Sequence, residues 1–251
     1  MNPNVAGVFL EPIQGEAGTI VPDEGYLKRV YDLTRKYNCL LISDEVQAGL
    51  GRTGKLRASD HDLEEHGLKP DIITLGKALS GAMTPASGIV ADRELMGILS
   101  EGNAGSTFGG NPLTMAIVRA SLEVLRDEGL IENAAERGEQ LRSGLRGINS
   151  ALLRDVRGRG LMNAIEVDRN SHVNGTDLCD IFQKYGMLTK ATHGHSIRFT
   201  PPLVITAQEV DEVVQIVARS LEDLEKLNEM RANESMFEDI TENTQGATLA
   251  K

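Results

Sequence analysis

Two residues of this 251-residue chain stand out for their chemistry, a lysine and an aspartate, each closing an apolar run. Lys77 sits in Thr74-Leu75-Gly76-Lys77-Ala78-Leu79-Ser80-Gly81, directly after Ile72-Ile73, and Asp44 follows Cys39-Leu40-Leu41-Ile42-Ser43. Read as strands, the two runs deliver an amine and a carboxylate at C-terminal strand ends, where open α/β sheets keep their chemistry. A desolvated lysine loses its proton readily and attacks a carbonyl. An ionised carboxylate opposite a ring nitrogen keeps that nitrogen protonated, so that a pyridine aldehyde can work as an electron sink. Taken singly, the residues read as a solvated lysine and a loop acid. Together they are what a pyridoxal phosphate (PLP) site requires.

The elements that must position them follow from periodicity. Residues 5–11 read as a buried strand and residues 23–37 as a helix, with Tyr26, Val30, Leu33 and Tyr37 at helical spacing, Asp23 as N-cap and Asn38 as the stop. With the strand at 39–43 this is the β-loop-α-β order of a parallel sheet. A Gly-rich turn, Gly49 to Gly54, precedes a polar stretch at 57–70 that reads as a surface loop with some helix. Strands near 71–75 and 87–91 flank the lysine loop. Residues 105–112, Gly-Ser-Thr-Phe-Gly-Gly-Asn-Pro, form a small-residue loop that opens a helix at about 113–127. Exposed amides and hydroxyls there, those of Ser106 and Thr107 included, suit a phosphate. That helix carries Leu113, Ile117, Ala120 and Val124 on one stripe, and a second helix spans about 130–147.

Beyond this the pattern changes to a small α+β domain. Strands are expected within 152–167, at 187–190 and at 196–200, with a helix around Leu178, Ile181, Phe182 and Tyr185 that Gly186 closes. Thr206-x-x-Glu209 is a capping box opening a helix with Val210, Val213, Val217, Leu221 and Leu224 inward. From Glu229 onward five acids face two bases with hardly any aromatic content, which reads as a disordered tail. The expected domains are 1–128, 129–228 and a tail at 229–251.

Composition excludes several functions. A net charge of −11 argues against nucleic acid or an acidic membrane surface as partner, and no apolar stretch reaches membrane-spanning length. Cys39 and Cys179, in apolar segments without C-x-x-C spacing, read as reduced buried thiols. His193 and His195 lack an acidic or thiol neighbour in sequence and make no metal site.

Several segments together resemble the class III aminotransferases of PLP fold type I, with the ornithine-acting branch the most similar. They are Glu11-Pro12-Ile13-Gln14-Gly15-Glu16-Ala17-Gly18, Ser43-Asp44-Glu45-Val46-Gln47 with Arg52-Thr53-Gly54, the Lys77 segment, 105–112, Arg157-Gly158-Arg159-Gly160-Leu161 and Thr192-His193-Gly194-His195-Ser196-Ile197-Arg198-Phe199-Thr200-Pro201-Pro202-Leu203. The resemblance runs from about residue 4 to about residue 225. It implies an α/β fold, with part of a mostly parallel large-domain sheet followed by a small α+β domain. It also implies a PLP enzyme that moves the δ-amino group of ornithine to 2-oxoglutarate.

By the same resemblance Lys77 is the Schiff-base lysine, Asp44 the partner of the ring nitrogen and Gln47 the partner of the ring hydroxyl. Thr107 would reach the cofactor phosphate of a neighbouring subunit, which implies a homodimer. Arg198 would bind a substrate carboxylate, and Glu16 would pair with it when the terminal amine of ornithine enters.

The family also carries a large N-terminal portion with a phosphate loop, a ring-stacking aromatic side chain and substrate-selecting residues. Nothing in this chain substitutes for them. The expectation is therefore a truncated chain whose sheet has unpaired edges and which folds poorly alone. After the lysine, Ala82 stands where a second glycine is common and Thr84 where close relatives usually place tyrosine. The alternatives are an acetylornithine-type enzyme, or an inactive fragment that associates with a partner subunit. A cytoplasmic location is expected over the mitochondrial matrix.

Overall fold

The computed structural model describes residues 4–100, 102–103 and 105–248, with residues 236–248 as backbone only. The chain divides into two compact units. The first contains Met1–Glu139, Gly158–Asn163 and Thr200–Thr206; the second contains Gln140–Arg157, Ala164–Phe199 and Ala207–Lys251.

The first unit is built on a four-stranded sheet in the order β1-β2-β3-β4, formed by Gly7–Leu10, Leu40–Asp44, Ile72–Leu75 and Gly88–Ala91. β1, β2 and β3 are parallel, and β4 closes the sheet antiparallel. Helix α1 (Tyr26–Lys36) carries the chain from β1 to β2. Asn38 ends it as expected, in the left-handed region at φ 51°, with Cys39 N donating to Thr34 O at 2.9 Å.

The helix start differs from expectation. The cap position is Gly25, at φ 70°, and Asp23 contributes its backbone carbonyl, which accepts from Tyr26 N. The inward face is also rotated. Leu27 packs with Leu41 and Leu63, beside Val30 and Tyr31, while Tyr26, Leu33 and Tyr37 are exposed. Leu27 lies one residue from the tyrosine of the expected stripe, and Asp62 fixes it there by accepting from its backbone N–H at 3.0 Å.

The stretch 57–70 carries some helix and is exposed at residues 64–67, as expected, but its first half turns inward. It contains α2 (Asp60–Leu63) and a 3-10 turn at Glu64–His66, and Ala58, Ser59, Asp60, Asp62 and Leu63 are buried. Those polar residues point inward because they serve backbone donors and a buried carboxylate. Helix α3 (Arg93–Met96) follows β4, and α4 (Pro112–Asp127) and α5 (Leu130–Arg146) complete the helices before the second unit. On α4 the buried residues are Thr114 and Leu125. The expected stripe of Ile117, Ala120 and Val124 instead borders an apolar hollow of about 660 Å³, together with Leu50, Met83 and Leu203.

The division falls inside α5, not at residue 128. Two later segments join the first unit because Arg52 and Asn133 hold them there. Arg52 Nη1 donates to the carbonyls of Leu161 (3.2 Å) and Pro201 (2.6 Å), and Leu161 N returns a bond to Arg52 O at 2.9 Å. Burial pushes the Arg52 guanidinium down to about 10. Asn133 Nδ2 donates to Leu203 O at 2.7 Å and Ile205 O at 3.0 Å. Gly160, at φ 51°, permits the contact with the Arg52 loop, since a Cβ there would lie 2.3 Å from the Thr53 carbonyl carbon.

The second unit holds a four-stranded sheet in the order β5-β6-β8-β7, formed by Leu153–Arg159, Met162–Val167, Ser196–Phe199 and Lys190–Thr192. The first connecting strand is shifted from 187–190 to Lys190–Thr192, because Gly186 (φ 82°) and the bond from Met187 N to Phe182 O prolong the end of the preceding helix. That helix, α6 (Gly175–Lys184), starts at a capping box formed by Asn174 and Asp177. The final helix, α7 (Ala207–Thr248), begins directly after Thr206 and buries Val210, Val217, Leu221 and Leu224.

The tail expected to be disordered from 229 is helical through Thr248. Side chains at its start anchor it. Arg231 grips Asp177 with two bonds of 2.8 and 2.9 Å, and Asn228 Oδ1 accepts from His172 N at 2.8 Å. Residues 249–251 lie outside the described residues.

Two outcomes follow. Gly160→Ala should lower unfolding free energy by about 3 kcal/mol or more, because a left-handed position and a backbone clash are combined; urea unfolding measures it, and a loss under about 1 kcal/mol would refute the packing account. His61 donates from Nε2 to Thr53 O at 3.0 Å, and burial, then the Arg159 charge, lower its pKa. As pH falls below about 6.5 the unfolded chain takes up this proton first, so stability falls with pH. His61→Gln should flatten the stability profile below about pH 6.5, read by melting temperature against pH.

Candidate active site

β2 and β3 run parallel with Asp44 opposite Thr74, so both strands end at the same edge of the sheet. Thr74 Oγ1 donates to Asp44 Oδ1 at 3.2 Å, and Val46 N donates to the same oxygen at 3.0 Å. Among the described residues no bond reaches Oδ2. Three residues beyond Thr74 the chain enters a 3-10 turn, Lys77–Ser80. Lys77 starts this turn at φ 39°, a left-handed conformation that costs a non-glycine residue about 1–2 kcal/mol. The turn is closed by Leu79 N to Gly76 O and Gly81 N to Ala78 O, both 2.9 Å. Gly76 lets it lie against Val46, whose Cγ1 would be 3.2 Å from a Cβ at that position. The segment after Asp44 and the segment holding Lys77 are thus packed on one another.

Glu16 joins the same group. Gln47 Nε2 donates to Glu16 Oε1 at 2.9 Å, and Lys77 Nζ is 4.0 Å from that oxygen. Glu16 sits on a tight loop that Gln14 and Ile20 close by exchanging backbone bonds of 3.1 and 2.9 Å. Gly15 leaves room for the Gln47 side chain, whose oxygen would lie 2.3 Å from a Cβ at that position. Lys77 and Glu16 are both more than half exposed, so their attraction is screened and contributes under about 1 kcal/mol.

Lys77 opens onto a cleft of about 880 Å³ bordered by Thr84, Ser106, Phe108, Asn111 and Thr114. Ser106 Oγ accepts from Gly109 N at 3.0 Å. Asn111 caps α4, accepting from Thr114 N at 3.0 Å and donating to Phe108 O at 2.7 Å. Thr107 is exposed on this loop and does not border the cleft beside Ser106. Arg198 lies in the second unit, half-buried on β8 and opposite Lys190 of β7. Cys39 and Cys179 are free thiols, and burial pushes the Cys179 thiol up.

Sequence reasoning quoted Glu45 but gave it no role. Glu45 is fully buried. It accepts from Ser43 Oγ at 3.1 Å, Ala58 N at 2.7 Å and Ser59 N at 2.9 Å, which draws the 57–70 stretch under the site. Alternation along β2 puts Asp44 and Glu45 on opposite faces, and a signal for burial of one of them was present only in that alternation.

The donor set fits PLP at the ends this chain supplies. An amine faces an open cleft, a carboxylate keeps one oxygen free of donors on the neighbouring strand, and the Ser106 hydroxyl lies on the same cleft as the amine. The fold is that of the type I PLP-dependent aminotransferases.

The comparisons agree. The sequence pattern of the class III aminotransferase family covers residues 1–221, and the chain belongs to that family. It is 47% identical to an ornithine aminotransferase of Schizosaccharomyces pombe, over 88% of this chain and 50% of that protein. It is 45% identical to a probable mitochondrial ornithine aminotransferase of Caenorhabditis elegans, over 90% and 52%. An ornithine aminotransferase structure from Toxoplasma gondii, described with partial PLP occupancy at its active site, superposes with a TM-score of 0.86 at 43% identity, covering 91% of this chain and 53% of that one. An acetylornithine aminotransferase from Elizabethkingia anophelis gives 0.82 at 44%, covering 88% and 57%. The chain spans about half the length of the curated relatives it matches.

Ala82, where the family commonly has glycine, adopts φ 64°. Ala82→Gly should therefore stabilise the chain by about 0.5–1 kcal/mol, the relief of left-handed strain exceeding the added chain entropy. An unchanged or lower denaturation midpoint would refute this.

Proposed function

We propose that this chain carries the lysine-bearing part of a PLP-dependent aminotransferase that moves the δ-amino group of ornithine to 2-oxoglutarate, giving glutamate semialdehyde and glutamate. The observation that carries the reading is the placement of Lys77 and Asp44 at the ends of adjacent parallel strands, with Gln47 and Glu16 beside them. The names of the relatives support the choice of substrate.

When bound, PLP supplies the electron-withdrawing ring that makes a neighbouring C–H acidic. Lys77 Nζ is the base that would hold and move this proton. Asp44 holds the proton on the ring nitrogen. Gln47 would meet the ring hydroxyl, and the loop of Ser106 and Thr107 would meet a phosphate. The exposure of Thr107 supports a homodimer in which this threonine serves the neighbouring subunit. Arg198 presents a planar fork suited to a carboxylate. Glu16, beside Gln47 and Lys77, is a carboxylate suited to meet a substrate's terminal amine.

The likeness to the acetylornithine enzyme favours a second reading, an enzyme of acetylated ornithine. One experiment separates them. Purified chain with PLP, then borohydride and mass mapping, should show one adduct on Lys77, lost in Lys77→Ala. Added ornithine should bleach the visible band before reduction. Bleaching by N-acetylornithine and not by ornithine would select the second reading. Scattered adducts or none would overturn PLP binding by this chain.

A further inference from the structure

We infer that Thr74 is a positioning residue that aims the Asp44 carboxylate at the cofactor's ring nitrogen and sets the spacing between that carboxylate and the Lys77 amine. The inference rests on the reading that Asp44 meets a protonated ring nitrogen.

Thr74 is directly opposite Asp44 in the parallel register of β2 and β3, so their side chains project to the same face. It is bound to the aspartate segment twice. Its hydroxyl donates to Asp44 Oδ1 at 3.2 Å, and its carbonyl accepts from Glu45 N at 3.0 Å. Branching at Cβ restricts χ1, so the hydroxyl points where the strand backbone sends it. With Val46 N on the same oxygen at 3.0 Å, Oδ1 has two donors, and among the described residues Oδ2 has none. A carboxylate with one oxygen saturated and the other open presents a single acceptor direction. Thr74 is also three residues before Lys77, on the strand that carries the amine. The residue that orients the carboxylate is therefore part of the strand that delivers the nucleophile, and the two ends of the site cannot drift independently. Valine would keep the shape and the backbone bond and remove the donor.

The test is PLP titration of the full chain followed by absorbance, with borohydride trapping on Lys77 as an independent readout. Thr74→Val should weaken PLP binding about five- to tenfold, the effect of one ordinary hydrogen bond. It should also shift the pH at which the visible band changes, while melting temperature stays close to that of the parent chain. Thr74→Ser should restore both to within about twofold. Wild-type affinity and an unshifted band in Thr74→Val would overturn the proposal, and so would a serine variant that behaves like valine. Should the valine variant not fold, the serine variant and the parent still decide, because serine keeps the hydroxyl: parent-like binding and band support the proposal, and weakened binding overturns it. Asp44→Asn tests the underlying reading separately. If it binds PLP with an unchanged spectrum, Asp44 does not serve the ring nitrogen whatever Thr74 does, and a parent chain that traps no PLP overturns both.

Discussion

The structure depends on the parallel pairing of β2 and β3 in a fixed register. Asp44 opposite Thr74 ends both strands at one edge, and the amine and the carboxylate follow from that edge. A slip of one residue would turn every side chain of one strand to the other face. Asp44 would then point where Glu45 now points, into the protein, and the open carboxylate would be lost. Burial enforces the register: Leu41 and Ser43 of β2, and Glu45 just past its end, alternate as fully buried residues.

The polar interior around Glu45 is the second part of the same constraint. A buried carboxylate without donors would be costly by several kcal/mol, yet Glu45 has three. Two of these are backbone amides at Ala58 and Ser59, so a segment whose composition suits the surface is held inside. Arg52 works similarly, with backbone carbonyls for acceptors. Buried charge here organises chain segments by satisfying backbone groups, which apolar packing alone would leave undirected.

Much of this was legible in the sequence and some was not, for physical reasons. Strand ends at Asp44 and before Lys77, the stop at Asn38 and the inward face of α7 follow from local pattern and turn chemistry. The 57–70 stretch misled because its acids look solvated until Glu45 and the Leu27 amide are known to need partners. On α1 and α4, several periodic apolar residues are exposed while neighbouring positions are buried; periodicity finds a stripe but does not say which of two adjacent stripes meets the core. The helix beyond Glu229 was missed because its hold on the fold comes from Arg231 meeting Asp177, a pairing 54 residues distant and absent from any local window. Among the site residues, Glu16 meets Gln47 and Lys77, a grouping the sequence did not suggest, and the placement of Thr74 against Asp44 needed the register of two strands.

Two of the described non-glycine residues with positive φ lie at the lysine turn. Lys77 at φ 39° and Ala82 at φ 64° bracket one short turn, and both conformations disfavour side chains. Such strain persists only where surrounding contacts over-determine the fold. Here those contacts are the close seat of Gly76 on Val46, the bonds closing the turn, and Ser80, whose hydroxyl meets the backbone of Thr84. A lysine on a relaxed loop would sample many directions. Holding it at the start of a strained, bonded turn fixes the backbone from which the side chain leaves, on the cleft it shares with Ser106 and near Glu16. The turn therefore contributes direction to a flexible four-carbon side chain, at a cost that the buried β2–β3 pairing can bear.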